Sequence, residues 1–412
     1  MTQQRTNSIL PNPAASPRVP GFRFIHSPGP TRVPDEVMHA MQRPMMDLAD
    51  PRVAQTIVAC EDGMRRLLRT ERSDIIMYAA NGHGMWEATA VNLTAPGRTL
   101  LIAGGGHFSD QWAVQTEAIG ATVQRTAHVE GYPIDVAAIE QALRDDKQHR
   151  ISAVLIVHTD TASGVTSDLA AIRRTLDSTK HPALFVVDVV ASAAAAPFAM
   201  DELGVDVAMG ASQKGLMMPP GLGFAAINER AMRWTAEHAG PRFYWDWVRR
   251  KSSHQSSKFC GTPPLAHLAG LEAAIALIEA EGLDAVIARH RRLAGAVHAA
   301  LEQWSKAGAV KPLCPVAQAR SVSVTAIEVA AGIDPEALRT VARERFQVGI
   351  AGGLGALAGR VFRIGHLGDM NEAMILGALA GVEAAMTVQR IPFGADGVAA
   401  AVAFLARFGD SQ

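Results

Sequence analysis

Short apolar segments alternate with helical patterns over much of this chain, and this alternation limits the folds that it can adopt. The segment 183–190 is apolar on both faces, as expected for a strand buried inside a parallel sheet. The predicted strands are 74–80, 99–103, 153–158, 183–190, 205–211 and 224–228, and the predicted helices between them include 85–93, 134–144 and 169–176. The alternation predicts an α/β fold with a mainly parallel sheet, in which a ligand binds at the carboxyl ends of the strands.

The part of the chain after residue 270 has a different pattern. A long helical segment at 271–301 precedes predicted strands at 321–329 and 361–364 and predicted helices at 335–346 and 371–386. This mixture favours a smaller α+β domain. The predicted divisions are an N-terminal arm at 1–21, a large domain at 22–285, a small C-terminal domain at 286–390 and a helical tail at 391–412.

Composition argues against several classes of function. With 412 residues, 48% of them hydrophobic and 19% charged, the chain fits a soluble enzyme of two domains. A formal net charge of −1 gives no electrostatic argument for a nucleic acid or an anionic membrane as partner. Cys60, Cys260 and Cys314 are scattered, which favours a reducing, cytoplasmic compartment and offers no metal-ligand spacing. We expect no signal peptide, no membrane span and no bound metal.

Lys214 follows a predicted strand and lies among small and polar residues, in the sequence GASQKG at 210–215. A lysine at the end of a buried strand is held in position and partly desolvated, so its amine is available at neutral pH. These are the conditions that a Schiff-base lysine requires. A solvated lysine in an ordinary turn is the alternative interpretation.

Asp188 interrupts the apolar segment 183–190 near its carboxyl end. A carboxylate in such a strand is costly to bury unless a partner is present. A pyridinium nitrogen is a suitable partner, because pyridoxal phosphate withdraws electrons best when its ring nitrogen is protonated. The alternative is an aspartate that caps the next helix. The chain between Asp188 and Lys214 has room for one helix and one strand, so both residues can lie at the same edge of a sheet.

The sequence Asn81-Gly82-His83-Gly84 lies between a predicted strand and a predicted helix. Glycines allow the backbone to approach an anion, and the free amides and dipole of a helix N-terminus attract it. Side chains of Asn81 and His83 are further donors. The segment therefore predicts a phosphate site.

Together, these motifs resemble those of the class V aminotransferases of pyridoxal-phosphate fold type I, and within them the alanine/serine–glyoxylate aminotransferase group. The matching stretches follow the order of the family across residues 22–385. They are HSPGPT at 26–31, NGH at 81–83, HTDTASGV at 158–165, VDVVAS at 187–192, GASQK at 210–214, PPG at 219–221, TPP at 262–264 and VFRIGHLG at 361–368. The resemblance implies a large domain with a mainly parallel sheet and a smaller C-terminal α+β domain.

The resemblance also implies a pyridoxal 5'-phosphate cofactor and a role for each matching residue. Lys214 would bind the cofactor covalently and transfer the substrate's proton, and Asp188 would hold the ring nitrogen protonated. The other implied cofactor contacts are Val190 and Phe108 at the ring, Thr161 or Ala162 near the ring oxygen, and Asn81, Gly82, His83 and Gln213 at the phosphate. Thr262 would reach the phosphate from a neighbouring subunit, which implies a homodimer with shared active sites.

Arg363 would bind the substrate carboxylate, a bidentate task that suits a planar guanidinium, and Gly29 would lie in the substrate site. Phe108 is also compatible with an ordinary core phenylalanine. Many relatives have a tyrosine just before the Thr-Pro of the neighbouring-subunit segment, where this chain has Phe259 or Gly261 without a hydroxyl.

The implied reaction is a ping-pong transfer of an amino group from serine, alanine or aspartate to a small 2-oxo acid, with glyoxylate as the expected acceptor. The alternatives are another enzyme with this cofactor and fold, such as an aminotransferase for phosphonate or phosphorylated substrates, or a lyase or desulfurase. A non-catalytic binding module is a third possibility. The joint presence of Lys214, Asp188 and Arg363 argues against it.

Overall fold

The structure, a computed structural model, describes residues 19–409. Most of the predicted arm at 1–21, and the last three residues of the predicted tail, lie outside the described residues.

A seven-stranded sheet forms the centre of the fold. Its strands are β2 (Asp74–Tyr78), β3 (Thr99–Ile102), β4 (Thr122–Arg125), β5 (Ile151–Val157), β8 (Leu184–Asp188), β9 (Val207–Ala211) and β10 (Gly223–Ile227), and a small hairpin of β6 (Thr159–Asp160) and β7 (Val165–Thr166) follows β5. The order is β2-β10-β9-β8-β5-β3-β4, and β10 alone among the seven runs antiparallel to its neighbours. The predicted mainly parallel α/β fold is therefore confirmed.

Helices cover both faces of this sheet, and several begin at a capping side chain. The helices of this part are α1 (Asp35–Met41), α2 (Pro51–Leu68), α3 (Gly82–Leu93), α4 (His107–Ala118), α5 (Val136–Asp145), α6 (Leu169–Thr179), α7 (Glu229–His238), α8 (Trp247–Arg250), α9 (Gln255–Lys258) and α10 (Leu265–Glu281). Asp135 accepts hydrogen bonds from the first amides of α5, and Asp168 does so for α6. Each cap satisfies amides that have no partner inside the helix.

The second sheet has five strands and includes a segment from near the N-terminus. Its order is β1-β13-β14-β12-β11, with β1 (Phe24–His26), β11 (Val310–Pro312), β12 (Val324–Val329), β13 (Val348–Gly352) and β14 (Val361–Gly365). Strand β1 pairs in parallel with β13, a contact that the sequence did not predict. The pairing anchors residues 24–26 and directs the following segment, 27–31, toward Lys214.

The predicted helical segment 271–301 is two helices. Gly282 separates α10 from α11 (Leu283–Trp304) with a φ of +90°, a conformation that favours glycine. The remaining helices are α12 (Pro335–Arg345), α13 (Glu372–Val388) and α14 (Gly397–Gly409). Helix α14, in the predicted tail, packs against α11 and α13, and its partly buried residues join the core of the second sheet. No helix in the described part of the chain is long and apolar enough to cross a membrane.

Four histidines, of which His298 is partly buried and the other three are buried, lie where the second sheet meets α11. His26 ends β1, His366 follows β14, and His290 and His298 are on α11. The rings of His298 and His366 have centroids 6.2 Å apart. Burial lowers the pKa of His26, His290 and His298 to about 4, and that of His366 well below its usual value. The fold therefore favours the neutral form of all four.

We expect acid to destabilise the protein through these histidines. Their pKa values are lower in the fold than the usual 6.5, so the unfolded chain binds more protons between about pH 4 and 6.5. Above this window the histidines do not lower the free energy of unfolding. As the pH falls through the window, the free energy of unfolding decreases, by on the order of 2 kcal/mol per histidine at pH 5. Melting temperatures measured from pH 7.5 to 5 test this. The pH dependence should weaken in His298→Leu and persist in His39→Gln, since His39 is exposed; equal slopes would contradict the explanation.

Candidate active site

A cavity of about 280 Å³ opens at the carboxyl ends of the parallel strands. Ten residues selected from the sequence line it: Gly29, Asn81, Gly82, His83, Phe108, Thr161, Asp188, Val190, Gln213 and Lys214. Six further lining residues were not selected: Pro30, Trp86, Val157, Thr159, Ala191 and Pro220. Trp86 could have been predicted from the sequence, because it lies one helical turn after Gly82 and therefore shares the same face of α3.

Lys214 enters the cavity from the turn after β9. Its Nζ donates a hydrogen bond to the carbonyl oxygen of Pro28, in the segment that follows β1. Burial, and next the positive charge of Arg363, lower the pKa of Lys214 from 10.5 to about 8. The amine is therefore partly uncharged near neutral pH, which a nucleophile and a proton carrier both require.

Gly29 is in contact with the Lys214 side chain. A β-carbon at Gly29 would lie 2.6 Å from Cδ and 2.8 Å from Nζ of Lys214, and the φ of Gly29 is +131°. Only glycine fits this position without moving the lysine.

We expect Gly29→Ala to lower kcat by about 10²-fold, because a small displacement of a reacting group is costly. The strained φ should also lower stability by about 1–3 kcal/mol. Steady-state rates and melting temperatures measure the two effects. Gly97→Ala is the matched control, since Gly97 also has a positive φ of +71° but has open space around its Cβ position. The control should lose stability and keep its rate; a Gly29→Ala enzyme with the normal kcat would contradict the contact's importance.

Asp188 is the last residue of β8 and is 4% exposed. Its Oδ1 accepts a hydrogen bond from the amide of Val190, and its Oδ2 accepts one from Nε1 of Trp86, both at 2.7 Å. Burial raises the pKa of Asp188 to about 6, although both hydrogen bonds and the charge of Lys214 act to lower it. The carboxylate is at the end of a strand, as predicted, but its bonds do not cap a helix.

The N-terminus of α3 lies at the cavity, which Asn81, Gly82 and His83 line. The helix begins at Gly82, three residues earlier than predicted, and the Asn81 side-chain oxygen accepts a hydrogen bond from the amide of Gly84 at 3.1 Å. The amides of Gly82 and His83 lie in the first turn, where no i−4 carbonyl is available inside the helix. The buried Oε1 of Gln213, which also lines the cavity, has no hydrogen-bond partner among the described residues.

Phe108 and Val190 also line the cavity. Phe108, near the start of α4, is partly buried and makes an edge contact with Trp86, with ring centroids 6.1 Å apart. Thr161 also lines the cavity, whereas Ala162 is fully buried in a separate apolar cluster. Of the two residues considered near the ring oxygen, only Thr161 therefore reaches the site.

Arg363 and Thr262 do not line the cavity. Arg363, on β14, is 6% exposed, and its Nε and Nη1 donate hydrogen bonds to the carbonyl oxygens of Gly352 and Thr161, both at 2.7 Å. Its charge still influences Lys214, and burial lowers its own pKa to about 10. Thr262 is exposed on the surface beyond α9, as is Gly261, whereas Phe259 is buried.

These features fit pyridoxal phosphate on structural grounds. The site combines a lysine of lowered pKa, a buried carboxylate and a helix N-terminus, and these suit the cofactor's carbonyl, ring nitrogen and phosphate respectively. Among residues 19–409, no group of three or more His, Cys, Asp or Glu side chains has an arrangement that could hold a metal ion.

Comparison with known proteins gives one consistent family. The model of the family described as aminotransferase class-V matches residues 23–360. The chain is 38% identical over 381 residues to an L-aspartate–glyoxylate aminotransferase of Paracoccus denitrificans, covering 92% of this chain and 94% of the relative. It is 36% identical over 399 residues to a serine–glyoxylate aminotransferase of Methylorubrum extorquens, covering 95% and 98%. The crystal structure of a ureidoglycine–glyoxylate aminotransferase from Bacillus subtilis superposes with a TM-score of 0.85 at 26% identity, covering 95% of this chain and all of that one.

Proposed function

Because this chain belongs to the class-V aminotransferases, we propose that it is a pyridoxal-phosphate-dependent enzyme that transfers an amino group from a small amino acid to glyoxylate. The proposed donors are aspartate, serine and alanine, in a ping-pong reaction. The observation that carries the proposal is one cavity lined by both Lys214, with its pKa near 8, and the buried carboxylate of Asp188. Glyoxylate is proposed because the relatives at 36–38% identity are named for it.

Three groups of residues would hold the cofactor. When bound, pyridoxal phosphate supplies a carbonyl that condenses with amines and a ring that withdraws electrons from the bonds at the substrate's α-carbon. Asp188 would bind the ring nitrogen and keep its proton in place. Phe108 and Val190 would contact the ring, and Thr161 its hydroxyl. The phosphate would lie at the start of α3, with Asn81, Gly82, His83 and Gln213 around it.

Lys214 and Arg363 would act on the substrate. The lysine amine would bind the cofactor, be displaced by the donor's amine, and then transfer the proton of the donor's α-carbon. Arg363 would bind the carboxylate common to donor and acceptor, using the donors that its two carbonyl contacts leave available. Gly29 would allow substrate and lysine to approach closely.

The proposed assembly is a homodimer with shared active sites. Thr262 is exposed and does not line the cavity of its own chain. This position suits a residue that contacts the phosphate site of a neighbouring subunit. The proposed compartment is the cytoplasm, which suits three cysteines that are all free. Cys60 and Cys314 are poorly placed for thiol-based desulfurase chemistry, because both are buried and burial raises the pKa of the Cys60 thiol to about 12.

The test of the proposal is a visible absorption spectrum of the purified enzyme. Protein loaded with pyridoxal phosphate should be yellow, and aspartate, serine or alanine, added singly, should bleach the band. Glyoxylate should then restore it, and the donor with this effect is the substrate. A yellow protein that none of the three donors bleaches would redirect the search to other donors or to lyase chemistry. A protein that cannot be loaded with the cofactor would overturn the proposal.

A further inference from the structure

We propose that Trp86 is a positioning residue, whose indole N–H keeps the Asp188 carboxylate ionised and oriented toward the cofactor's ring nitrogen. The inference rests on the proposed function, because it concerns the carboxylate that would bind this nitrogen. Its basis is the hydrogen bond of 2.7 Å from Nε1 of Trp86 to Oδ2 of Asp188. Both side chains are buried and both line the cavity.

The two hydrogen bonds of Asp188 differ in origin. The bond from the amide of Val190 comes from two residues further along the backbone, so the local turn provides it whatever side chains surround it. The bond from Trp86 comes from a helix that is distant in sequence, and it depends on the identity of that side chain. A hydrogen bond to an ionised oxygen is strong and directional, so Trp86 fixes the rotation of the carboxyl group.

The indole of Trp86 is itself held in place by its neighbours. Trp86 is 3% exposed and stacks on Trp112 of α4, with centroids 5.8 Å apart and planes inclined by 13°. The edge contact with Phe108 supports it on another side. Rotation of the ring would break these contacts, so the donor remains directed at Asp188.

Helix α3 thereby connects the two ends of the proposed cofactor site. Its N-terminus at Gly82 provides amides for the phosphate, and Trp86, one turn later, reaches the residue at the ring nitrogen. Because a helix is rigid over one turn, the distance between the two subsites is fixed before the cofactor binds. This pre-organisation reduces the entropic cost of binding.

The electrostatic consequence can be measured. Lys214 lowers the pKa of Asp188 and Asp160 raises it, and these are the charged groups that act on it besides its two hydrogen bonds. Burial raises the pKa of Asp188, and the hydrogen bond from the indole N–H acts against that rise. Without this hydrogen bond the pKa of Asp188 should rise by about one unit. A neutral carboxyl group cannot pair with a protonated ring nitrogen, so cofactor affinity should follow this pKa.

The experiment compares Trp86→Phe with Trp112→Phe. Both changes remove one indole from the same stack, but the Trp112 nitrogen is buried without a hydrogen-bond partner among the described residues. The dissociation constant of pyridoxal phosphate from each apoenzyme is measured by calorimetry between pH 5 and 8. For Trp86→Phe we expect the acid-side midpoint to move up by about one pH unit, with affinity about fivefold weaker at pH 6. Trp112→Phe should keep the midpoint of the unchanged protein.

Each other outcome has a definite meaning. An unchanged midpoint in Trp86→Phe, or equal shifts in both variants, would overturn the role of the indole N–H. Trp86 would then contribute only through its packing contacts. In either case the unchanged protein still binds pyridoxal phosphate, so the proposed function stands. Failure of the unchanged protein to bind the cofactor at any pH would overturn the proposed function and this inference together.

Discussion

Replacing Lys214 by alanine is expected to abolish transamination, with a loss of at least about 10⁴-fold in rate. The lysine has two proposed tasks, attachment of the cofactor and transfer of the α-proton, and no other lysine lines the cavity among the residues described. Pyridoxal phosphate should still bind, because the helix N-terminus and Asp188 are unchanged. Borohydride should therefore fix the cofactor irreversibly to the unchanged enzyme but not to the variant, as mass spectrometry would detect.

The same substitution should not weaken the fold of the apoprotein. The pKa of Lys214 is about 8 in the fold against 10.5 ordinarily, so the unfolded chain binds more protons between about pH 8 and 10.5. The resulting cost to stability is complete below about pH 8 and disappears as the pH rises through this window. Alanine removes that cost, and the apoprotein should melt no lower than before at pH 7. Lys251→Ala, on the surface, is the control and should keep its activity; normal turnover by Lys214→Ala would refute the proposed mechanism.

Replacing Asp188 by asparagine should lower kcat by about 10³-fold and weaken cofactor binding. A neutral amide has nearly the same shape but cannot stabilise a protonated ring nitrogen, and loss of one member of a buried charge pair is costly. Titration of the apoenzyme with pyridoxal phosphate, followed by kcat at saturating cofactor, separates the two effects.

A second readout of Asp188→Asn is stability. The pKa of Asp188 is about 6 in the fold against 3.8 ordinarily, so the buried charge destabilises the apoprotein increasingly as the pH rises from 3.8 to 6. Asparagine should stabilise the apoprotein at pH 7 by up to about 3 kcal/mol. Asp206→Asn is the contrast, because Asp206 is buried in an ion pair with Arg230 at the other edge of the sheet. The Asp206→Asn variant should lose stability and keep its cofactor affinity. Weakened cofactor binding in Asp206→Asn with normal binding in Asp188→Asn would contradict the role of Asp188.

Local sequence patterns were sufficient for six of the seven strands of the central sheet and for most of the candidate site. They missed β4, which is mostly exposed and has no apolar pattern. The apolar segments define the strands to within a few residues, because burial on both faces leaves a continuous apolar pattern. Parallel strands bring their carboxyl ends to one edge, so Asp188 and Lys214 come together as expected from their positions in the strands. The glycine-containing segment at the start of α3 and the motif around Thr161 also reach the cavity.

Other features depend on contacts between distant parts of the chain. No local pattern indicates that β1 pairs with β13, that Gly29 then contacts Lys214, or that the indole of Trp86 reaches Asp188. Arg363 matched a family motif, but the sequence did not reveal that its guanidinium bonds to Thr161 and Gly352.

The sequence by itself thus determined the type of sheet, the chemistry of the residues at its edge and the family to which the chain belongs. It could do so because apolar patterns and short motifs are formed by residues that are close together in the sequence. Only the tertiary structure decided how those residues act on one another. The lowered pKa of Lys214, the raised pKa of Asp188 and the neutral histidines all arise from burial by segments that are far away in the chain.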